Sequence, residues 1–193
     1  MGIEVTYHRL IPKEFFRVTA AQGAWDDFRG SGLPGITVQE IMQNLEKPSP
    51  QFNEKILSAL QRQGADVTRL DISKDWHVIY YLLTGSSEIA EHHRIGDPLH
   101  NVIFGGLNTS VCTGYGPVRY FDHSLVGEIR TALSDLDRSL VELRFDPAKF
   151  VKHAIYAAPD EDEKDMILEE IERLCCFFGE AATAEEYVVV YGH

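Results

Sequence analysis

Three titratable side chains that lie close together in the sequence, Asp71, Asp75 and His77, could carry out acid–base chemistry. Carboxylates and imidazoles are among the groups that most often exchange protons in enzymes. Both carboxylates also have structural explanations, because Asp71 stands at a turn position and Asp75 falls in the first turn of a predicted helix, where the dipole favours a negative charge. Trp76 and Tyr80 follow on that helix, and we interpret them first as core residues and second as an aromatic binding surface.

A histidine-rich segment is the one stretch whose residue types resemble a metal site. His92, His93, Asp97 and His100 could supply three ligands and leave one coordination position open. The H-E-x-x-H pattern is absent and adjacent histidines diverge, so a polar surface loop is the favoured interpretation and no cofactor is predicted. Cys112 could act as a thiolate nucleophile beside a base, but a single free cysteine is more often a small buried side chain.

A set of aromatic and basic residues surrounds two glycines. Tyr115, Arg119 and Tyr120 occur with Gly114 and Gly116, and aromatic residues with arginine are enriched where proteins bind partners. A glycine turn that leads into a strand explains the same residues without a binding role, and both interpretations stay open. The candidate binding patch has six members in all: Asp71, Trp76, Tyr80, Tyr115, Arg119 and Tyr120.

The charge of the chain is acidic and concentrated in one segment. The 193 residues carry 30 Asp and Glu against 18 Lys and Arg, a net charge of −12. This balance argues against binding to nucleic acid or to an anionic membrane, since both need a positive surface. Residues 160–186 hold 11 acidic and 2 basic side chains, which is −9 of the −12. A solvated helix face is the usual explanation for such a run, and attraction of a basic partner is the more specific one.

The elements that must position these residues follow from the spacing of apolar side chains. Strands are expected near 3–7, within 96–116, at 117–121 and at 187–191, and a loop or insertion at the glycine-rich residues 20–35. Helices are expected from Pro12, twice within 37–64, over 70–85 with Ser73 as N-cap, after Asp122, after Asp146 and over 159–179. Helices outnumber strands without regular alternation, which predicts an α+β fold: a small mixed sheet with several packed helices in a single domain over 1–193.

The cellular compartment is predicted from cysteine usage and from the first residues. Three cysteines, of which Cys175 and Cys176 are adjacent, are not typical of a secreted disulfide framework. The first ten residues lack the apolar core of a signal peptide, and no apolar run approaches the length of a membrane span. We therefore expect a cytoplasmic protein with reduced thiols.

The order of several motifs resembles the YfbM-like family of uncharacterised bacterial proteins. The pieces that carry the resemblance are residues 70–85, 104–106, 114–120 and 144–147. The similarity extends over nearly the whole chain, and residues 70–85 are its most specific part. It implies a single α+β domain in a bacterial cytoplasm, and it implies no activity.

Two hypotheses of function result. The sequence contains neither a G-x-x-x-x-G-K-[ST] loop nor a G-x-S-x-G nucleophile elbow. Together with the acidic segment, this favours a non-enzymatic interaction or regulatory protein that binds a basic protein partner. The alternative is a small hydrolase or transferase that uses His, Asp and Tyr side chains in the 71–120 region, which would require a concave pocket lined by them.

Overall fold

A computed structural model of the chain describes residues 2–19, 22, 23, 25, 26, 39, 40, 43, 51, 69–89 and 96–193. Its sheet has five strands, β1 Val5–Leu10, β2 Arg69–Asp71, β3 Leu107–Thr113, β4 Gly116–Phe121 and β5 Tyr187–Gly192, in the order β2-β1-β5-β4-β3. The described helices are α1 Pro12–Val18, α2 Trp76–Thr84, α3 Pro98–Asn101, α4 His123–Ser134, α5 Arg138–Arg144, α6 Pro147–Lys152 and α7 Lys164–Thr183. A single 3₁₀ turn, Glu161–Glu163, leads into α7.

The predicted α+β class is confirmed, but the sheet is antiparallel instead of mixed. All four strand pairings, β1 with β2, β1 with β5, β3 with β4 and β4 with β5, are antiparallel. The tight turn between β3 and β4 permits only this direction, since parallel neighbours need a long crossover. Strand β5, predicted to be buried from its run of valines, lies at the centre of the sheet.

The two faces of the sheet bury two separate apolar clusters. Side chains alternate between the faces of a strand, so Val188 and Val190 of β5 lie on one side and Val189 on the other. The first side, here called the helical face, packs against α2, α4 and α7. For example, the ring of Tyr7 in β1 makes edge-to-face contacts with the rings of Phe177 and Phe178 in α7, at centroid distances of 6.1 Å. The second side, the opposite face, packs against α1 and Trp25, which is fully buried.

Several predicted helix ends are confirmed by their hydrogen bonds. The carboxylate of Asp122 accepts from the backbone N–H of Leu125 at 3.0 Å, and that of Asp146 accepts from Ala148 at 3.0 Å. Helix α5 was not predicted, although Asp137 caps it in the same way through the N–H of Ser139. Each aspartate satisfies a donor that the first turn of a helix leaves without an internal partner.

Two predicted boundaries are wrong because long-range contacts override local signals. The helix predicted over 70–85 begins only at Trp76, because residues 69–71 pair with β1 instead. Ser73, the predicted N-cap, has a φ of 42°, and its carbonyl accepts the N–H of Val5 at 3.3 Å. Helix α7 also continues through Gly179 to Thr183. Its buried side chains Phe178 and Ala181 hold that turn against the core, which outweighs the low helix propensity of glycine.

Some predictions fall where the chain is not described. The two helices expected within 37–64 lie outside the described residues apart from isolated helical positions. The loop or insertion expected at 20–35 lies outside them except at positions 22, 23, 25 and 26, which are helical. Among the helices that are described, none combines the length and the hydrophobicity needed to cross a membrane.

Candidate functional site

The structure brings together two of the six predicted patch residues, Tyr115 and Arg119. Both line a cavity of about 490 Å³ on the helical face, which we call the Arg119 cleft. The remaining four lie elsewhere: Trp76 beneath the cleft wall, Tyr80 in the core, and Tyr120 and Asp71 on the opposite face. The patch as predicted is therefore not one surface.

The floor of the Arg119 cleft is the exposed end of the sheet. It is formed by side chains or backbone of β3, β4 and β5, and the described lining residues include none from a helix. Strand alternation explains most of the floor, because five of its residues are helical-face positions: Asn108, Pro117, Arg119, Val190 and Gly192. Tyr191, which belongs to the opposite-face cluster, also lines the cleft. Loop residues form the walls: Ile3, Ile89, Phe104 and Tyr115.

Arg119 is held in position by the segment that precedes β3. Its guanidinium Nη1 donates a hydrogen bond to the carbonyl of Phe104, and Asn108 stands directly opposite it across the β3–β4 ladder. Trp76 supports the same wall from below: its indole ring makes an edge-to-face contact with Phe104 at 5.3 Å, and its N–H donates to the carbonyl of Ile3 at 3.0 Å. Trp76 is therefore a core residue that shapes the cleft without lining it.

The turn that carries Tyr115 is fixed by one hydroxyl. The Oγ of Thr113 accepts the backbone N–H of Tyr115 at 3.2 Å and donates to the carbonyl of Gly192 at 2.8 Å. Gly192 itself keeps this corner open, since a Cβ there would lie 3.3 Å from both the Cγ2 of Ile3 and the Cβ of Tyr115. The cleft is thus a preformed feature of the hairpin and of its neighbouring strand.

Tyr80 and Tyr120 serve packing. Tyr80 is fully buried in α2, and its hydroxyl donates to the carbonyl of Glu88 at 2.8 Å. Tyr120 lies on the opposite face, where its ring is 4.8 Å from that of Phe15. The contacts of Tyr80 agree with its interpretation as a core residue, and Tyr120 lies in the strand predicted at 117–121.

Asp71 belongs to a polar cluster on the opposite face, at the β1–β2 edge. The buried hydroxyl of Thr6 donates to the carboxylate of Asp71 and bonds on its other side to the Nε2 of His193 at 2.9 Å. Arg69 forms an ion pair with the same carboxylate at 2.9 Å. Burial lowers the pKa of neighbouring His8 to about 3, and Arg69 acts in the same direction, so this imidazole is neutral at pH 7.

His77, one of the residues considered for acid–base chemistry, is occupied by structural hydrogen bonds. The Nδ1 of His77 accepts the backbone N–H of Tyr156 at 2.9 Å, so its Nε2 donates to the carbonyl of Ser87 at 3.0 Å. Asp75 stands at the N-cap position of α2, and burial, followed by the nearby charge of Glu163, raises its pKa. Both nitrogens of the histidine are thus engaged with the backbone.

The histidine-rich segment is described only in part. The Nδ1 of His100 lies 2.6 Å from a carboxylate oxygen of Asp97, whereas His92 and His93 lie outside the described residues. Within the described ranges, no group of three His, Cys, Asp or Glu side chains is arranged to hold a metal ion. Cys112 was expected to be buried and is exposed.

The acidic segment forms a continuous exposed stripe on α7. We define the acidic stripe as Glu169, Glu172, Cys176 and Glu180, which follow one another at intervals of three, four and four residues and therefore share one side of the helix. A groove of about 160 Å³ lies between the stripe and α5, and a second of about 390 Å³ lies between it and β2. Glu169 and Glu172 line both grooves.

One glycine spacing in the sequence matches a nucleotide-binding motif. Gly30, Gly32 and Gly35 match G-x-G-x-x-G, which is a dinucleotide-binding fingerprint only where it follows a strand and opens a helix. These residues lie outside the described part of the chain. The spacing alone therefore assigns no cofactor.

Comparison with known proteins identifies the family. A family model described as a domain of unknown function, DUF1877, matches residues 1–191. The chain belongs to the DUF1877 family. The crystal structure of YfbM, a protein of unknown function from Escherichia coli, aligns with a TM-score of 0.61 and 14% identity over 98% of this chain and 99% of that chain, which shows a shared fold. No curated protein matches the chain.

In this DUF1877 chain, two of the motifs that carry the YfbM-like resemblance are in contact. The guanidinium of Arg144 donates to the carbonyls of Leu82 and Leu83, at 2.6 and 2.8 Å, at the C-terminal end of α2. Gly85 ends that helix with a φ of 75°, and a Cβ there would lie 3.2 Å from the Nη2 of Arg144. The motifs at 82–85 and 144–147 thus form a single joint that attaches α5 to α2.

Proposed function

We propose that this DUF1877 protein is a non-enzymatic interaction protein that docks a basic, amphipathic segment of a partner protein on its acidic stripe. The observation that carries the proposal is that carboxylates and apolar side chains lie next to each other along one exposed side of α7. Glu169 and Glu172 line the α5–α7 groove, whose remaining lining is mostly aliphatic. Together with Glu180 they also line the α7–β2 groove, where Leu70 and Phe177 are apolar and Arg69 and Arg173 are basic. A lysine or arginine side chain matches this combination, because its stem is apolar and its end is positive.

Both grooves beside the acidic stripe contain apolar side chains. Between α5 and α7 the apolar lining consists of Leu136, Val141, Leu168, Ile171 and Cys175. Between α7 and β2 the apolar lining is provided by Leu70 and Phe177, with the carboxylates of the stripe above them. An amphipathic helix that lies along the stripe would insert apolar side chains into the grooves and place its basic side chains on the rim.

An ion pair within the chain has the geometry that we expect between the stripe and a basic side chain of the partner. The guanidinium of Arg138 forms a bidentate pair with the carboxylate of Glu172 at the edge of the α5–α7 groove, with one of its N–H···O distances at 2.8 Å. Both side chains remain substantially exposed to solvent. The rim thus already receives one basic side chain, in the geometry that arginine and carboxylate favour.

The charge of the whole segment supports attraction of such a partner from a distance. Residues 160–186 contribute −9 of the net −12, so the field around α7 is strongly negative. Fields of this kind accelerate encounter with oppositely charged partners and select against acidic ones. The hydrolase or transferase hypothesis has less support, since His77 and Tyr80 are bound to backbone groups.

Cys176 provides the test, because it is an exposed thiol within the acidic stripe. The probe is a helical 14-residue peptide of Lys and Leu at amphipathic spacing, and its Glu/Leu counterpart is the control. We expect the Lys/Leu peptide to slow alkylation of Cys176 by iodoacetamide. Cys112, also exposed but on the opposite edge strand of the sheet, should react at an unchanged rate in the same molecule. Raising the salt from about 0.05 M to about 0.5 M should remove the protection.

Two charge variants of equal net charge separate docking from general attraction. The first, E169Q/E172Q/E180Q, neutralises the stripe, and the second, D162N/D165N/E185Q, neutralises exposed acids beside it. The first should abolish protection of Cys176 and the second should preserve most of it. Equal losses in both variants, or equal slowing of Cys112, would overturn the proposal.

A further inference from the structure

We infer that the Arg119 cleft is a binding site for a small amphipathic anion, with a planar apolar body and one carboxylate or sulfonate group. This site is separate from the acidic stripe, since α7 contributes no described residue to its lining. The inference is therefore independent of the proposed function. It rests on the size, the lining and the charge of the cleft.

The size and lining are those of a small-molecule site. Cavities that bind such ligands usually measure about 300–1,000 Å³ and are mostly apolar with a few placed polar groups. The Arg119 cleft measures about 490 Å³. Ile3, Phe104, Pro117 and Val190 supply apolar surface, and the polar residues Arg119 and Asn108 stand opposite each other across the β3–β4 ladder.

An arginine is the charged side chain among the described lining residues of the cleft. A guanidinium presents five N–H donors in a planar fork that matches a carboxylate or sulfonate. The carbonyl of Phe104 orients this fork, and the amide of Asn108 stands beside it in register.

The cleft offers flat apolar surfaces for the body of the ligand. The ring of Tyr115 is 46% exposed at the rim, and Phe104 forms a wall that Trp76 supports from behind. Aromatic rings favour stacked or edge-to-face contacts with planar groups. Because Thr113 ties the turn of Tyr115 to Gly192, these surfaces are in place before a ligand arrives.

A pair of fluorescent probes tests charge and shape separately. The first is 8-anilinonaphthalene-1-sulfonate, which has aromatic rings and one anionic group. The second is N-phenyl-1-naphthylamine, which has the same rings without the sulfonate. We expect the wild-type chain to bind one equivalent of the sulfonate, and the neutral probe about tenfold more weakly, because a charge-assisted hydrogen bond is lost.

Three variants assign the binding to this cleft. Arg119→Met should weaken the sulfonate probe about tenfold and leave the neutral probe unchanged. Gly192→Val should weaken both probes, since its side chain would enter the corner between Ile3 and Tyr115. Leu143→Ser removes an apolar side chain that is 76% exposed on α5 and should change neither. Amide shifts of Val190 and Gly192 in NMR spectra should move on addition of the sulfonate.

The outcomes are decisive even if one variant is poorly folded. Thermal unfolding of each variant is measured first, and Arg119→Lys, which keeps the positive charge, replaces the methionine variant if that variant does not fold. With lysine the sulfonate probe should still bind more tightly than the neutral one. Equal affinity of the two probes for the wild-type chain would overturn the anion assignment. Binding that survives Gly192→Val, or that Leu143→Ser abolishes, would overturn the location.

Discussion

Replacing Arg144 with methionine removes the guanidinium that joins α5 to the C-terminal end of α2. In the native chain this group donates to the carbonyls of Leu82 and Leu83 at 2.6 and 2.8 Å. Methionine keeps most of the apolar stem but has no donor, so two carbonyls at a partly buried helix end lose their partner. The positive charge that favours the negative end of the helix dipole is lost as well.

The magnitude follows from these contacts. A hydrogen bond to a charged group contributes about 1.5–3 kcal/mol, and two that share one guanidinium are not independent. Because water can reach part of this helix end in the variant, we expect a loss of about 2–4 kcal/mol in the free energy of unfolding. For a chain of this size each kcal/mol corresponds to about 2–4 °C, so the melting temperature should fall by roughly 4–16 °C.

The assay is urea unfolding followed by circular dichroism, with Arg138→Met as the matched control. Arg138 lies on the same helix and pairs with Glu172, but its side chain is 71% exposed. Its loss should cost only about 0–1 kcal/mol, as for other surface ion pairs. If Arg144→Met and Arg138→Met unfold at the same urea concentration, the joint between α2 and α5 does not stabilise the fold as argued.

Three further predictions concern single side chains. Gly105→Ala should destabilise the chain by at least about 2 kcal/mol in urea unfolding, because the new Cβ would lie 2.3 Å from the Cα of Asn101. The control is Gly114→Ala, whose Cβ would meet nothing within 4 Å and which should be nearly neutral. Equal destabilisation by the two variants would contradict this reasoning. Cys175 should react with a thiol reagent at pH 8 far more slowly than Cys176, since burial, and then Glu172, raises the pKa of its thiol to about 11. We expect two thiols per chain, those of Cys112 and Cys176, to react fast and that of Cys175 to react slowly. Burial, reinforced by Asp75 and Glu169, raises the pKa of Glu170 despite its ion pair with Arg173. The folded state therefore binds more protons than the unfolded state, and ionisation of Glu170 lowers the free energy of unfolding as the pH rises above about 4.5. Melting temperatures of Glu170→Gln should therefore match the wild type near pH 4 and exceed it at pH 7, and a variant that is less stable at pH 7 would refute the assignment.

Local patterns in the sequence were sufficient for many of the elements. Asp122 and Asp146 were predicted as helix caps and act as caps, because the hydrogen bond that defines a cap spans only two or three residues. Trp76 and Tyr80 of α2 were interpreted first as core residues, and both are buried. A pattern whose physical cause lies within one helical turn is visible in the sequence.

Predictions failed where a distant segment determines the outcome. Residues 70 and 71 were predicted as the start of a helix, but β1 gains hydrogen bonds by pairing with residues 69–71 as β2. Gly179 is a usual helix end, yet Phe178 and Ala181 hold α7 against the sheet. Cys112 was expected to be buried because of its type, whereas it is exposed and its neighbour Val111, on the other side of the same strand, is buried.

The two candidate sites show the same division. The sequence by itself determined the acidic charge of residues 160–186 and the neighbourhood of Tyr115 and Arg119, since four residues across a hairpin remain close in any fold. Only the tertiary structure decided that Ile3 and Gly192 join them, because the pairing of β1 with β5 brings together opposite ends of the chain. It also separated Asp71 and Tyr120 from the cleft, since strand alternation places them on the other face of the sheet. Contacts across nearly the whole length of the chain depend on the packing of the sheet and not on local spacing, so the cleft is a property of the fold.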